Sequence, residues 1–282
     1  PLIGLANCAY VADVLRDAPG AFDYVEVSFE QLRHDPTALD LRNLIPLILH
    51  CASLSLAGFV PPTPETVAGV RRAVGATGTP WVGEHLAFLT AEPIEDGRAG
   101  QAPWNYDIGY TVAPSLNDET LERLIASLAA MTDAVGVPLI VENPPSYFPM
   151  PDSTYSQPEF LSELCERCDT GLLCDLTHLH VSATNLGFDA MAAVRTLPAE
   201  RIVEIHLSGA SEQEGFTWDD HAVVPPEPVF DLLSAICERA RPRAVTLEFN
   251  WRSQFPLPTL LDVLSRTRDT IARAQGVPLA VR

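Results

Sequence analysis

Pro138-Leu-Ile-Val-Glu142-Asn-Pro-Pro-Ser-Tyr147 is a short apolar run that ends on a carboxylate and then breaks into a proline turn. A run of this length bounded by turn residues reads as a buried parallel strand, and the Asn143–Tyr147 turn fixes its end. The same arrangement recurs along the chain. Pro46–Leu49 runs into His50, Trp81–Val82 into Glu84 and His85, Gly171–Cys174 into Asp175, Ile202–Ile205 into His206, and Val245–Leu247 into Glu248. In a β/α barrel the carboxyl ends of the strands converge on one face, where active sites are built. Six strands that each deliver a metal-binding side chain to one rim would make a cup for metal ions.

Working outward, strand and helix patterns alternate from end to end. Candidate strands are Leu2–Asn7, Tyr24–Phe29, Leu47–Ala52, Trp81–Phe88, Leu139–Asn143, Leu172–Leu176, Ile202–Leu207 and Val245–Phe249. Helical stretches between and after them include Pro64–Val74, Asp118–Val135, Gln157–Cys168, Pro228–Arg239 and Pro258–Ala274, with Asn117 a good helix start. Eight strands with intervening helices predict an α/β fold, a single (β/α)8 TIM barrel. The 282 residues suit one such domain spanning 1–282, since these barrels run to about 250 residues. Two connections exceed what a barrel needs. One runs from Thr90 to Ser115 and carries Trp104, Tyr106 and Tyr110; the other runs from Ser208 to Pro226. Long rim loops usually shape or cover a site.

The charge balance narrows the function. Eighteen basic residues face 37 acidic ones, a net charge of −19, which repels phosphate backbones and argues against nucleic acid as a partner. All 18 basic residues are arginine. Without lysine there is no Schiff-base aldolase, no pyridoxal-phosphate lysine and no P-loop lysine. No stretch reaches the roughly 18 apolar residues of a membrane span, and no signal peptide is visible at Pro1 onward. Six scattered cysteines suit a reduced protein rather than a disulfide scaffold, so a cytoplasmic location is expected. Cys165 and Cys168 fall within a predicted helix instead of at a helix start after a strand, which fits ordinary helix residues better than a redox pair.

A lone histidine at a strand end is more often a hydrogen-bonded structural residue than a ligand. The carboxylates change that weighing. Glu142, Asp175 and Glu248 directly follow apolar strands, where burial is costly unless a cation is paired with them. In a lysine-free chain a metal ion is the natural counter-charge. Asp219 and His221 add a pair at i and i+2 in the second long loop, which an extended segment would present on one face. Asp175-Leu-Thr-His178-Leu-His180 offers two more histidines, at least one within reach of the cup. One zinc needs three or four ligands. The surplus implies two or three ions with bridging carboxylates, and mixed histidine and carboxylate ligands suit non-heme iron, manganese or zinc.

Taken in order, His50-Cys-Ala-Ser-Leu-Ser-Leu, Gly83-Glu-His85-Leu-Ala-Phe, Val141-Glu142-Asn-Pro-Pro-Ser-Tyr, Leu173-Cys-Asp175, Glu204-Ile-His206-Leu-Ser-Gly, Asp219-Asp-His221 and Leu247-Glu248-Phe resemble the motif series of the multinuclear non-heme iron-dependent oxidative enzymes, such as the methanobactin-biosynthesis oxidase. The resemblance implies a xylose-isomerase-like barrel with two or three irons. It also implies dioxygen-dependent modification of a residue, cysteine above all, in a ribosomally made precursor peptide. By motif it makes His50, His85, Glu142, Asp175, His206, Asp219, His221 and Glu248 iron ligands, with Glu142 and Asp175 bridging and central to catalysis. Where the family commonly carries asparagine after the strand-end aspartate, this chain has Thr177 and His178, and His178 can add a nitrogen ligand. Family members usually work with a partner protein that recognises the peptide. The last predicted helix is followed by only a short tail to Arg282, so that partner is expected as a separate chain. The alternatives on the same barrel are a metal-dependent sugar isomerase or epimerase and a trinuclear-metal hydrolase. The missing lysine weighs against the first and the acidic surface against the second.

Overall fold

Side chains two apart on a strand share a face, and on this chain that spacing pairs an apolar residue with a polar one a step closer to the carboxyl end. In a computed structural model the strands β1 (Leu2–Ala6), β2 (Tyr24–Ser28), β3 (Leu47–Cys51), β4 (Val82–His85), β5 (Leu139–Glu142), β6 (Gly171–Asp175), β7 (Ile202–Leu207) and β8 (Ala244–Leu247) close into a barrel. All neighbours run parallel in chain order, and β8 closes on β1 through pairs such as Ile3 with Val245. The structure describes residues 1–91, 94–95, 98–99, 106–221, 224–249 and 256–278, with backbone alone at 94–95, 98–99 and 106–107. Trp104 and Asn250 lie outside the described residues, as does the side chain of Tyr106.

Inside the barrel, Tyr24, Ile48, Trp81, Ile140, Leu173 and Ala244 pack into a small apolar layer. Two residues further along the same strands stand Glu26, His50, Gly83, Glu142, Asp175 and Thr246. An apolar plug therefore closes the lower half and lifts the polar side chains to the carboxyl end. The outward faces, including Val25, Leu49, Val141, Ile205 and Val245, join the larger core beneath the helices. At roughly 25 cal/mol per Å² buried, that shell supplies most of the driving force for the barrel to close.

The helices are α1 (Val11–Asp17), α2 (Phe29–His34), α3 (Pro64–Thr77), α4 (Asp118–Val135), α5 (Gln157–Arg167), α6 (Leu176–Leu186), α7 (Ala190–Thr196), α8 (Glu227–Cys237) and α9 (Leu257–Ala274). Asn117 caps α4 by accepting from the Thr120 N–H, as its position predicts. Both long connections carry hairpins that the sequence reading leaves as loops. Phe88–Ala91 pairs with Tyr106–Val112, and Ala210–Gln213 pairs with Phe216–Asp219. The predicted strand Trp81–Phe88 accordingly divides: β4 ends at His85, and Phe88 starts the first hairpin. Among the described residues, no helix is long and apolar enough to cross a membrane.

Candidate metal centre

Glu142 occupies the centre of the cup. Its Oε2 lies 2.8 Å from His50 Nε2 and 3.3 Å from His85 Nε2, and its Oε1 lies 3.4 Å from His178 Nδ1 and 3.8 Å from His206 Nδ1. The rings of His50 and His85 meet edge to face at 4.7 Å. Gly83 makes room for this arrangement, because a Cβ there would stand 2.8 Å from Leu173 Cδ1 and 3.0 Å from His50 Cδ2. Asp175 is fully buried at the end of β6, where one carboxylate oxygen caps α6 by accepting from the His178 N–H at 2.7 Å. The strand thus turns into a helix without a loop, and His178 comes round one turn later to face the cup. This helix start is absent from the predicted elements, because Asp175-Leu-Thr-His178 carries no turn signal.

Side-chain clamps hold these positions. Asn143 Nδ2 donates to the Asp175 carbonyl and Asn143 Oδ1 accepts from the Asp175 N–H, both at 2.9 Å, which ties the ends of β5 and β6 together. His178 Nδ1 lies 2.8 Å from the Asn143 carbonyl, a contact that requires Nδ1 to carry the proton. Nε2 then faces Asp219 Oδ2 at 2.9 Å and Asp175 Oδ2 at 3.5 Å. Ser208 donates to the other Asp219 oxygen at 3.0 Å. His221 Nε2 approaches Asp219 Oδ2 at 2.9 Å and Glu248 Oε2 at 3.8 Å. The extended geometry predicted for Asp219 and His221 is not what brings them together. His221 has φ of 55°, a left-handed conformation that a non-glycine residue adopts only where its surroundings enforce it. His206 Nδ1 closes the ring at 3.4 Å from Glu248 Oε2.

All nine predicted ligands, His50, His85, Glu142, Asp175, His178, His206, Asp219, His221 and Glu248, therefore line one cup. Other candidates do not. Glu84 is buried but faces away, accepting from the Leu54 N–H. Cys51 faces Glu30, Cys174 packs into the outer core, and His34 is exposed. Asn185 braces the second hairpin through both backbone groups of Thr217. Tyr147 stacks on Trp218 at 4.7 Å beside the cup. Sequence reasoning missed Gly83 and Glu26. Glu26 lies within β2, and the one signal for it was a lone carboxylate in the otherwise uncharged stretch Tyr24-Val-Glu-Val-Ser28.

The electrostatics call for a cation. Among the described residues, the cup carboxylates form ion pairs with histidines only. Burial disfavours a charged His50, but the Glu142 hydrogen bond and charge outweigh it and push the ring up to about 10. Against the same burial penalty, Glu248 and Asp219 push His221 up to about 9. Burial raises Asp175 to about 7, with Asp219, Glu248 and Glu142 adding to it against His178. Glu142, Asp219 and Glu248 are held below the usual carboxylate range, because neighbouring histidines outweigh their burial. His85 runs the other way, lowered first by burial. Three buried atoms of the cup, His85 Nδ1, Asp175 Oδ2 and His206 Nδ1, have no hydrogen-bond partner. Ligand atoms of His50, Glu142 and His206, of His178, Asp219 and His221, of Glu142, Asp175 and His178, and of Asp175, His206 and Glu248 each fall within 4.8 Å of one another. Buried ligand atoms without partners, carboxylates whose charge is met only by histidines, and mutually close ligand atoms fit metal ions, and overlapping triads that share Glu142, Asp175, His178 and His206 fit more than one.

Fold and cup define a class, a (β/α)8 barrel whose carboxyl rim carries a histidine and carboxylate cluster able to hold metal. The family model for the RiPP precursor modification enzymes MbnB/TglH/ChrH matches residues 3–273, and the chain belongs to that family. A UPF0276 protein of Streptomyces avermitilis is 32% identical over 269 residues, covering 94% of this chain but 54% of its own length. One from Rhizorhabdus wittichii is 30% identical over 272 residues, covering 95% of this chain and 93% of its own. Among solved structures, the IolI protein with a bound zinc atom superposes with a TM-score of 0.63 at 15% identity, over 97% of this chain and 99% of that one. Endonuclease IV from Thermus thermophilus gives 0.53 at 15% identity, over 98% and 99%. A D-tagatose 3-epimerase-like protein gives 0.60 at 14% identity, over 97% and 99%. These likenesses show the fold, xylose-isomerase-like as the motifs imply, and leave the chemistry to the cup.

Proposed function

We propose that this chain is one catalytic domain that oxidatively modifies a residue, cysteine above all, of a ribosomally made precursor peptide, using two or three ferrous ions and dioxygen. The observation that carries this reading is the convergence of four carboxylates and five histidines in the barrel mouth of a family that modifies such precursors. His50, His85, Glu142, Asp175, His178, His206, Asp219, His221 and Glu248 would hold the metal, with Glu142 and Asp175 shared between ions. Iron bound there would supply a change of valence toward dioxygen and a Lewis acid toward a substrate thiol, neither of which a buried imidazole or carboxylate provides.

The chain's own residues account for the rest. The more exposed side chains of the cup, His85 at 21%, Glu248 at 17% and His221 at 27%, mark its open side, where a substrate side chain would enter. Cys51 and Cys174 are buried and face away, so the thiol must come from the peptide. Asn143 and Ser208 keep Asp175 and Asp219 fixed while substrate enters. The acidic surface favours a neutral or cationic peptide segment over an anionic one. A separate peptide-recognition protein and a cytoplasmic setting, where the six free cysteines stay reduced, complete the proposal.

The test is anaerobic reconstitution with ferrous iron or with zinc, then air exposure with a cysteine-bearing precursor peptide encoded beside the gene, read by mass change. Turnover is expected with iron alone. A zinc-loaded, iron-free protein that works at full rate would overturn the oxidative reading.

A further inference from the structure

We infer that Glu26 is the positioning residue for His206: it anchors Nε2 from below so that Nδ1 is presented to the cup. The inference rests on the reading of the cup as a metal site. Glu26 Oε2 lies 3.0 Å from His206 Nε2, and both side chains are buried inside the barrel. On the other side of the ring, His206 Nδ1 has no hydrogen-bond partner and lies 3.4 Å from Glu248 Oε2. An imidazole whose Nε2–H is engaged by a carboxylate is fixed in rotation and in tautomer, and its Nδ1 lone pair is left for an ion.

A second carboxylate, Glu204, stands nearby, and its surroundings separate the two roles. Glu204 Oε2 accepts from Trp81 Nε1 at 2.7 Å. Its Oε1 accepts from Thr246 Oγ1 at 2.7 Å and from the Tyr24 hydroxyl at 3.2 Å. Glu204 is thereby drawn toward the barrel floor, and its Oε1 remains 3.9 Å from His206 Nε2. Glu26, Glu204 and His206 do offer three ligand atoms within 4.8 Å of one another, the spacing of another ion site. The hydrogen bonds argue otherwise. Both oxygens of Glu204 are engaged by groups outside the trio, Trp81, Tyr24 and Thr246, whereas the orphaned nitrogen of His206 lies on the cup side. The floor is a closed hydrogen-bonded support, and Glu26 is the member that reaches the ligand.

The experiment is a zinc titration of the whole chain against a chromophoric chelator, with E26A, E26Q and E204Q beside wild type. Nitrogen-15-histidine spectra of the zinc-loaded proteins report which His206 nitrogen carries the proton. E26A is expected to weaken one zinc site by about 10–100-fold, the usual cost of losing a carboxylate behind a histidine ligand, and to lose the His206 Nε2–H signal. E26Q retains an acceptor oxygen, so it keeps that signal and recovers part of the affinity. E204Q lowers the melting temperature while leaving zinc affinity and the signal unchanged. If E26A does not fold, E26Q decides, since affinity equal to wild type there contradicts the role of the carboxylate charge. An E26A protein with wild-type affinity and an intact Nε2–H signal would overturn the inference, as would an E204Q loss equal to that of E26A. Wild type that takes up no zinc would instead bring down the metal reading itself.

Discussion

Replacing Glu142 with glutamine removes the charge around which four histidines are arranged. His50 gives the magnitude. Burial works against its charged form, and the hydrogen bond and charge of Glu142 reverse that, lifting it from 6.5 to about 10. At roughly 1.36 kcal/mol per pH unit, that displacement contributes about 4 kcal/mol to the metal-free fold at pH 7, in line with the about 3–5 kcal/mol cost of breaking a buried ion pair. Because the folded value lies above the unfolded one, the contribution is fully present below pH 6.5 and is lost as pH rises through about 10. At roughly 2–4 °C per kcal/mol, metal-free E142Q should melt about 8–16 °C below wild type at pH 7. The gap should shrink to a few degrees at pH 10.5. The assay is thermal unfolding followed by circular dichroism on chelator-treated protein at both values. A variant that melts within about 2 °C of wild type at pH 7 would refute the reasoning.

Metal content should follow the sharing of ligands: Glu142→Ala and Asp175→Ala each lose more metal than His221→Ala, as measured by elemental analysis of the purified variants, and equal losses would rule out the bridging roles. The metal-free protein should lose stability between pH 5 and pH 7, because Asp175, raised by burial from 3.8 to about 7, favours the fold while protonated, and that advantage, full below 3.8, is gone once pH has risen through 7. Zinc-loaded protein should hold its melting temperature over the same range, since the ion replaces the proton. Gly83→Ala places a methyl 2.8 Å from Leu173 Cδ1 and 3.0 Å from the His50 ring. That variant should lose about 1–3 kcal/mol of stability and some of its zinc, as denaturant unfolding and metal titration would show.

Much of the site could be read from the chain because a parallel barrel converts chain order into position. Each buried strand is a short apolar run, and the residue after it points to the rim, so His50, Glu142, Asp175, His206 and Glu248 could be found from local pattern alone. What escaped depends on contacts between distant strands. Glu26 lies inside β2 and meets His206, 180 positions away, across the barrel. The value of Gly83 is visible only when the His50 and Leu173 side chains are seen to occupy the space of its missing Cβ. The start of α6 was missed because Asp175 serves at once as the last strand residue and as the helix cap, with no turn between. The two hairpins were hidden in polar loops whose strands, among the described residues, pair only with each other. For Asp219 and His221, spacing indicated a shared face, whereas a left-handed backbone at His221 is what joins them.

Anomalous diffraction from crystals of the anaerobically iron-loaded protein, collected on both sides of the iron edge, tests the central claim most directly. The account predicts at least two iron peaks about 3.5–4 Å apart, within the cup bounded by His50, Glu142, Asp175, His206 and Glu248, with Glu142 or Asp175 between them. A single peak away from Glu142 and Asp175, or iron scattered over the surface with the cup side chains still paired to one another, would contradict it.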